Sequence, residues 1–307
     1  MLKIGKFVGL IQQEPVLGSA TSITFAGKII QMKRSLLCLA VLFVAPAIHA
    51  QYYYTDILNN RQAMADLANL KEKKVKGVKV ISLEADGTET EGFTCQKKIS
   101  RDYSEVEIYT ATNESYPNTF TSYYNAAGVL QRTVDSSEAG ATTIDYLYDA
   151  AGRVVSVNSV KNFATDDDAG TVSEQHIYSY NAAGIPVQMM QVRNRRDTTL
   201  FVFEADESGN VIIEKNEKTA EVYYYYYDER NRITDIVHKY SYQKQLFTEN
   251  SFEYDEAGQL VKMVSSEKEG AYYFTWRYNY EGGLRTTERC YSKEGRLMGS
   301  VEYLYKR

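Results

Sequence analysis

Tyr146–Val154 reads Y-L-Y-D-A-A-G-R-V. Two aromatics two residues apart share one face of a strand, and the aspartate that follows can accept hydrogen bonds from backbone amides two or three residues on. Two small residues come next, then a glycine that supplies the positive φ needed to close a type I turn with a bulge, and then an apolar residue that resumes the partner strand. The stretch therefore encodes one β-hairpin.

The same pattern recurs outward in both directions, at Ser122–Leu130, Tyr178–Pro186, Phe203–Val211, Tyr225–Ile233 and Phe252–Leu260. The turn positions are Asn125 and Gly128, Asp149 and Gly152, Asn181 and Gly184, Asp206 and Gly209, Asp228 and Asn231, and Asp255 and Gly258. Asn231 fits the glycine position because asparagine tolerates the left-handed conformation. Two later copies are degraded: Y-N-Y-E-G-G-L (Tyr278–Leu284) is shortened, and R-C-Y-S-K-E-G-R-L (Arg289–Leu297) has serine in the acid's place. The acid or amide recurs every 22 to 32 residues, enough for two strands, one D-x-x-G turn and a polar return loop such as Asp135–Ala141, Thr165–Gly170 or Ser265–Gly270. Seven or eight hairpins predict roughly 14 to 16 antiparallel strands in meander order, with terminal strands exposed for pairing between chains.

This pattern resembles the YD repeat of the RHS family, over about Ser122 to Leu297. The resemblance implies a sheet that curls, and in large members such sheets wrap into hollow shells around a toxin domain. This chain is far shorter, and no self-cleaving aspartyl-protease-like motif or toxin segment follows the repeats, so encapsulation is not expected. The expected fold class is all-β: an extended, curled antiparallel β-meander built from about seven YD-type hairpin repeats, with one short N-terminal α-helix. That helix is expected within Asp56–Lys74, where Ile57, Met64, Leu67 and Leu70 recur at close to helical period. Val75–Phe93 reads as a degenerate first hairpin.

From Met32, M-K-R-S-L-L-C-L-A-V-L-F-V-A-P-A-I-H-A-Q has the basic start, apolar run and small residues of a signal peptide. Its apolar segment is short for a membrane span. The expected organisation is an upstream extension from a mis-called start at 1–31, a signal peptide at 32–50, the helix and first hairpin at 51–100, and the repeat sheet at 101–307. Export would place the protein in the periplasm, on the outer-membrane surface or outside the cell. Without residues 1–50 the chain carries 30 bases and 39 acids, a net charge of −9, which disfavours nucleic acid and anionic lipid as partners. The remaining cysteines, Cys95 and Cys290, could pair in an oxidising compartment or stay as buried thiols.

Five consecutive tyrosines stand at Tyr223–Tyr227. Tyr225 and Tyr227 occupy the repeat's aromatic positions and Tyr223 extends the same face. Tyr224 and Tyr226 point the other way, as a second packed layer or an exposed patch. In Tyr272–Tyr280 the residues Tyr272, Phe274, Trp276, Tyr278 and Tyr280 share one face. Tyr224, Tyr226, Tyr272, Phe274 and Trp276 are thus candidates for a sugar or peptide platform, against the alternative of a covered sheet face. No catalytic or metal constellation is legible. His176 and His238 each stand alone in a strand, and the consecutive Asp166, Asp167 and Asp168 lack the alternating order of a calcium loop. No cofactor is implied. The reading is an exported, non-enzymatic binding or scaffold module for an unknown glycan or protein. The alternatives are a polysaccharide hydrolase, with loop acids gathered beside Trp276, or an accessory of an RHS-type toxin system.

Overall fold

In the computed structural model, which describes residues 53–164, 171–267 and 270–307, the D-x-x-G stretches are tight reversals. Gly128, Gly152, Gly184, Gly209 and Gly258 take φ between 77° and 86°, and Asn231 takes 58°. At the first of these turns Asn125 Oδ1 accepts from the amides of Ala127 and Val129, both at 3.0 Å. The Gly128 amide donates to the Asn125 carbonyl at 2.8 Å. The register shifts beside each such turn, as between Tyr123 and Tyr124 and between Leu147 and Tyr148, so each is a turn with a bulge. The shortened copy uses a two-residue turn instead. Gly282 and Gly283, both at positive φ, join the paired Glu281 and Leu284.

Helix α1 (Tyr54–Glu72) precedes β1 (Gly77–Glu84), β2 (Thr94–Ile99), β3 (Glu105–Ala111), β4 (Asn118–Tyr124), β5 (Leu130–Ser137) and β6 (Gly140–Tyr148). Next come β7 (Val154–Phe163), β8 (Val172–Tyr180), β9 (Pro186–Arg193), β10 (Asp197–Ala205), β11 (Val211–Asn216) and β12 (Val222–Tyr227). The last are β13 (Ile233–Lys239), β14 (Phe247–Tyr254), β15 (Leu260–Glu267), β16 (Tyr272–Glu281), β17 (Leu284–Tyr291) and β18 (Leu297–Lys306). Each strand pairs antiparallel with its neighbours in sequence, and β1 also pairs with β18 from Gly77↔Lys306 to Glu84↔Gly299. The architecture is therefore a closed 18-stranded barrel. It is not the open, curled meander of about seven repeats that the turn pattern suggests. The reason is the β1–β18 ladder, which satisfies the backbone groups of both terminal strands and leaves no free edge for a second chain.

Up-and-down order places alternate turns at opposite ends. The six full-length D-x-x-G turns and the Gly282–Gly283 turn share one end, called here the helix end. The serine copy, Ser292–Gly295, makes the same turn at the far end, with Gly295 N to Ser292 O at 2.9 Å.

The tyrosine before the turn acid has a role that spacing alone does not reveal. Its hydroxyl crosses to the strand before its own and donates to a carbonyl just past the previous turn at the helix end. Tyr180 reaches Val154 O at 2.6 Å, Tyr227 reaches Val211 O at 2.7 Å and Tyr254 reaches Ile233 O at 2.9 Å. Tyr280 reaches Leu260 O at 2.9 Å, Tyr305 reaches Arg285 O at 2.7 Å, and Tyr148 bonds Leu130 O. Each repeat is thereby fastened to the one before it. Arginines add a second tie: Arg153 pairs with Asp149 at 2.6 Å and lies 4.9 Å over the Tyr180 ring, and Arg232 repeats this with Asp228 and Tyr254. Tyr180→Phe removes one hydroxyl and nothing else. It is expected to lower the urea midpoint by the equivalent of about 1 kcal/mol with an unchanged slope.

Inward-facing aromatics and aliphatics form the core around α1. Leu67 and Leu70 pack with Val75, Val78, Val80, Ile99, Ile108 and Val301. Tyr53, Tyr54 and Ile57 pack with Tyr178, Met189, Phe201, Phe203, Tyr223 and Tyr225. Trp276, Tyr278 and Cys290 form a third cluster in the wall. The helix spans the helix end: Asn69 donates to Gly283 O at 2.9 Å, and Asn60 donates to the Tyr148 hydroxyl at 2.7 Å. The outer wall carries cross-strand ion pairs, Lys98–Glu107, Arg132–Asp145 and Lys262–Glu253. No helix among the described residues is long and apolar enough to cross a membrane.

Candidate functional site

The upstream extension, the signal peptide and Asp166–Asp168 lie outside the described residues. Within them, polar chemistry concentrates where the start of α1 meets β8, β9, β11 and β12 inside the barrel. A helix start leaves backbone amides without partners, and Tyr53 at this one supplies no side-chain cap. The partner comes from β11. Glu214, 1% exposed, accepts from the amides of Tyr53 at 2.7 Å and Tyr54 at 3.0 Å, and from the Tyr225 hydroxyl at 2.8 Å. Burial pushes its carboxyl up to about 7, against the opposing pull of these three donors.

His176 on β8 is clamped beside it. Its Nδ1 lies 2.6 Å from Asp56 Oδ2 on α1, and its Nε2 lies 2.7 Å from Glu174 Oε1. With a carboxylate on each nitrogen both must donate, so the ring is an imidazolium. Burial works against that charge, but the two acids raise it to about 9. Burial would raise Glu174, yet His176, Gln191 and Arg193 hold it down at about 2. Tyr178 donates to both Asp56 Oδ2 and the Tyr53 carbonyl, and Gln191 donates to the Tyr53 hydroxyl and to Glu174. This network fastens the helix inside the barrel wall.

The second histidine, His238 on β13, is 4% exposed and bonds Glu249 through Nδ1 at 3.0 Å. It stacks on Tyr223 at 4.1 Å and touches Tyr240 at 3.9 Å. Neither histidine is isolated in space, although each is alone in its strand. The contact of His176 with Asp56 spans 120 residues, which a scan of short motifs does not reach, whereas Glu249 lies 11 residues from His238.

At the far end no helix of the described residues closes the barrel, and large apolar side chains stay exposed there: Tyr116, Phe163, Val172, Tyr242, Leu246 and Tyr272. Tyr242 is 69% exposed and lies 5.4 Å from Tyr240, which in turn lies 5.8 Å from Phe247. An open groove of about 670 Å³ runs alongside, lined by Gln243, Lys244, Gln245, Phe247, Gly270 and Ala271.

The five aromatics singled out as a platform do not form one surface. Tyr224 and Tyr226 lie on the outward face of β12, with Tyr226 exposed. Trp276 is buried on the inward face of β16 among Tyr278 and Cys290, with Phe274 packed against that cluster. Tyr272, on the same inward stripe, emerges at the far rim. The twelve turn residues all stand in reversals at the helix end, with the side-chain oxygens of Asn125, Asp149, Asn181, Asp206, Asp228 and Asp255 engaged by their own turn amides. Cys95 and Cys290 are buried and are not joined in a disulfide.

No family model matches the chain, and no curated protein matches it. Among solved structures it is similar to a porin-like protein from Bacteroides uniformis at 10% identity and TM-score 0.37, over 76% of this chain and 98% of that one. A porin-like protein from Bacteroides vulgatus gives 10% identity and TM-score 0.35, over 76% of this chain and 99% of that one. A TcdB2–TccC3–Cdc42 complex gives 11% identity and TM-score 0.26, over 78% of this chain but 17% of that one. The resemblance to the RHS repeat family is thereby corrected: no family model supports it, and the sheet closes on itself in 18 strands.

Proposed function

We propose that the protein is an exported, non-enzymatic barrel that binds a glycan or protein partner at the cell envelope through its far mouth. The observation that carries this reading is the asymmetry of the two ends. The helix end is closed by α1 and by turns whose polar groups are engaged. At the far end Tyr242, Leu246 and Tyr272 are exposed, each next in sequence to residues that line the open groove. Aromatic rings beside glutamine amides and a lysine suit a ligand with apolar ring faces and hydroxyl edges. The acids that could have suggested a glycosidase pair are turn acceptors, and Trp276 is buried in the wall among Tyr278 and Cys290. Both facts favour binding over hydrolysis.

The test is a glycan array and an envelope pull-down with the mature chain and with Tyr242→Ser/Leu246→Ser/Tyr272→Ser. The wild type is expected to retain a partner and the triple variant to lose at least tenfold in affinity at an unchanged melting temperature. Equal retention by both proteins, or retention by neither, would overturn the reading.

A further inference from the structure

On the outer wall several oppositely charged residues face one another across strands, and on β16 and β17 like charges do. Lys98 faces Glu107, Arg132 faces Asp145 and Lys262 faces Glu253 directly across neighbouring strands, and each pair is in ion-pair contact. On β16 and β17, Arg277 faces Arg289, and Lys262 stands on the other side of Arg277. Both arginines are exposed, and among the described residues neither has an acidic partner. Like charges directly opposite each other destabilise an antiparallel pair, and a chain with so many acids had oppositely charged residues to place there.

We infer that Arg277 and Arg289 form an anion-binding strip on the outer wall that takes the carboxylate or sulfate groups of a polyanionic polysaccharide. Two guanidinium forks at one cross-strand position can each take a planar or tetrahedral anion through two donors. Along the same outward face the next row pairs Thr275 with Tyr291. Beyond it stands Tyr273, with the Lys293 ammonium 5.8 Å from its ring and the Lys293 carbonyl 3.4 Å from its hydroxyl. The strip thus runs about 13 Å from Arg277 to Tyr273. Charge at one end and aromatic rings beside it suit a polymer that carries both anionic groups and sugar faces. Glu253 and Glu302 flank the arginines, and with the acidic balance of the chain they work against a continuous polyphosphate. The arginines stand on the wall, while the Tyr273–Lys293 end of the strip reaches the far rim, where Lys293 donates to Ala271 O. Variants of the arginines leave Tyr242, Leu246 and Tyr272 in place, so the strip and the mouth are tested separately.

The experiment is affinity electrophoresis of the full mature chain in gels containing polygalacturonate, dextran sulfate or neutral dextran, with competition by single-stranded DNA. The wild type is expected to be retarded by one or both polyanions, the two gels separating carboxylate from sulfate recognition, and to ignore neutral dextran. Arg277→Ala/Arg289→Ala is expected to weaken binding at least tenfold, and Arg277→Lys/Arg289→Lys, which keeps the charge but loses the forks, to weaken it by an intermediate factor. Arg289→Glu sets opposite charges across these strands, so it is expected to melt higher than wild type while losing the retardation. Absence of retardation in both polyanions, wild-type retardation of the double alanine variant, a lower melting temperature for Arg289→Glu, or preferential binding of the DNA would each overturn the proposal.

Discussion

Glu214→Ala is expected to lower stability by about 4 kcal/mol and the melting temperature by about 10 °C. The substitution strands the amides of Tyr53 and Tyr54 and the hydroxyl of Tyr225 inside the barrel without an acceptor. Each stranded donor costs about 1–3 kcal/mol. Hydrogen exchange should localise the damage to the first turn of α1, with β1–β5 protected as before. Glu214→Gln tests the charge separately. The carboxyl's folded value, about 7, lies above its ordinary 4.5, so its contribution is fully present below about 4.5 and is lost as pH rises through 7. The glutamine variant is therefore expected to be less stable than wild type near pH 4.5 and to narrow or reverse the gap at pH 8, as thermal melts across that range will show.

His176→Ala is expected to cost about 3–5 kcal/mol at pH 6, the range for removing one partner of a buried ion pair. Asp56 and Glu174 would then lie together in the wall without the imidazolium between them. His176 titrates at about 9 in the folded state against an ordinary 6.5. Its stabilisation is complete below about 6.5 and disappears as pH rises through 9. Glu174 has the opposite sign, about 2 against 4.5, so its contribution is present above about 4.5 and is lost as pH falls through 2. Together with Glu214, whose contribution starts to fall above about 4.5, these groups place the stability maximum near pH 4.5. A melting-temperature profile that rises from pH 6.5 to 9, or an alanine variant whose deficit is the same at both ends of that interval, would refute the assignment.

The unequal legibility of the fold follows from the range of the interactions. The turns could be read because each is local: Asp149 and Gly152 lie three residues apart, and the carboxylate, the two small residues and the glycine settle the backbone among themselves. Helix α1 was visible because Ile57, Leu67 and Leu70 repeat at its period. Closure was not visible, since Gly77 and Lys306 meet across nearly the whole chain and nothing in either residue names the other. The inward stripe Tyr272–Tyr280 could equally have been an outer platform, because alternation fixes which residues share a face and leaves open which face is covered.

The candidate sites divide in the same way. Glu214 in V-I-I-E-K-N looks like any acid on a strand, and its role exists only because the first turn of a helix 160 residues earlier arrives beside it. His176 and Asp56 are neighbours by the same accident of packing, and Arg277 meets Arg289 through the register of one hairpin. By itself the sequence determined the hairpin unit, the position of its turns and helix α1, each set by preferences within a few residues. The tertiary structure alone decided that the ring closes, which end the helix blocks and which charges confront one another. Those outcomes depend on contacts between segments whose separation along the chain carries no local signal.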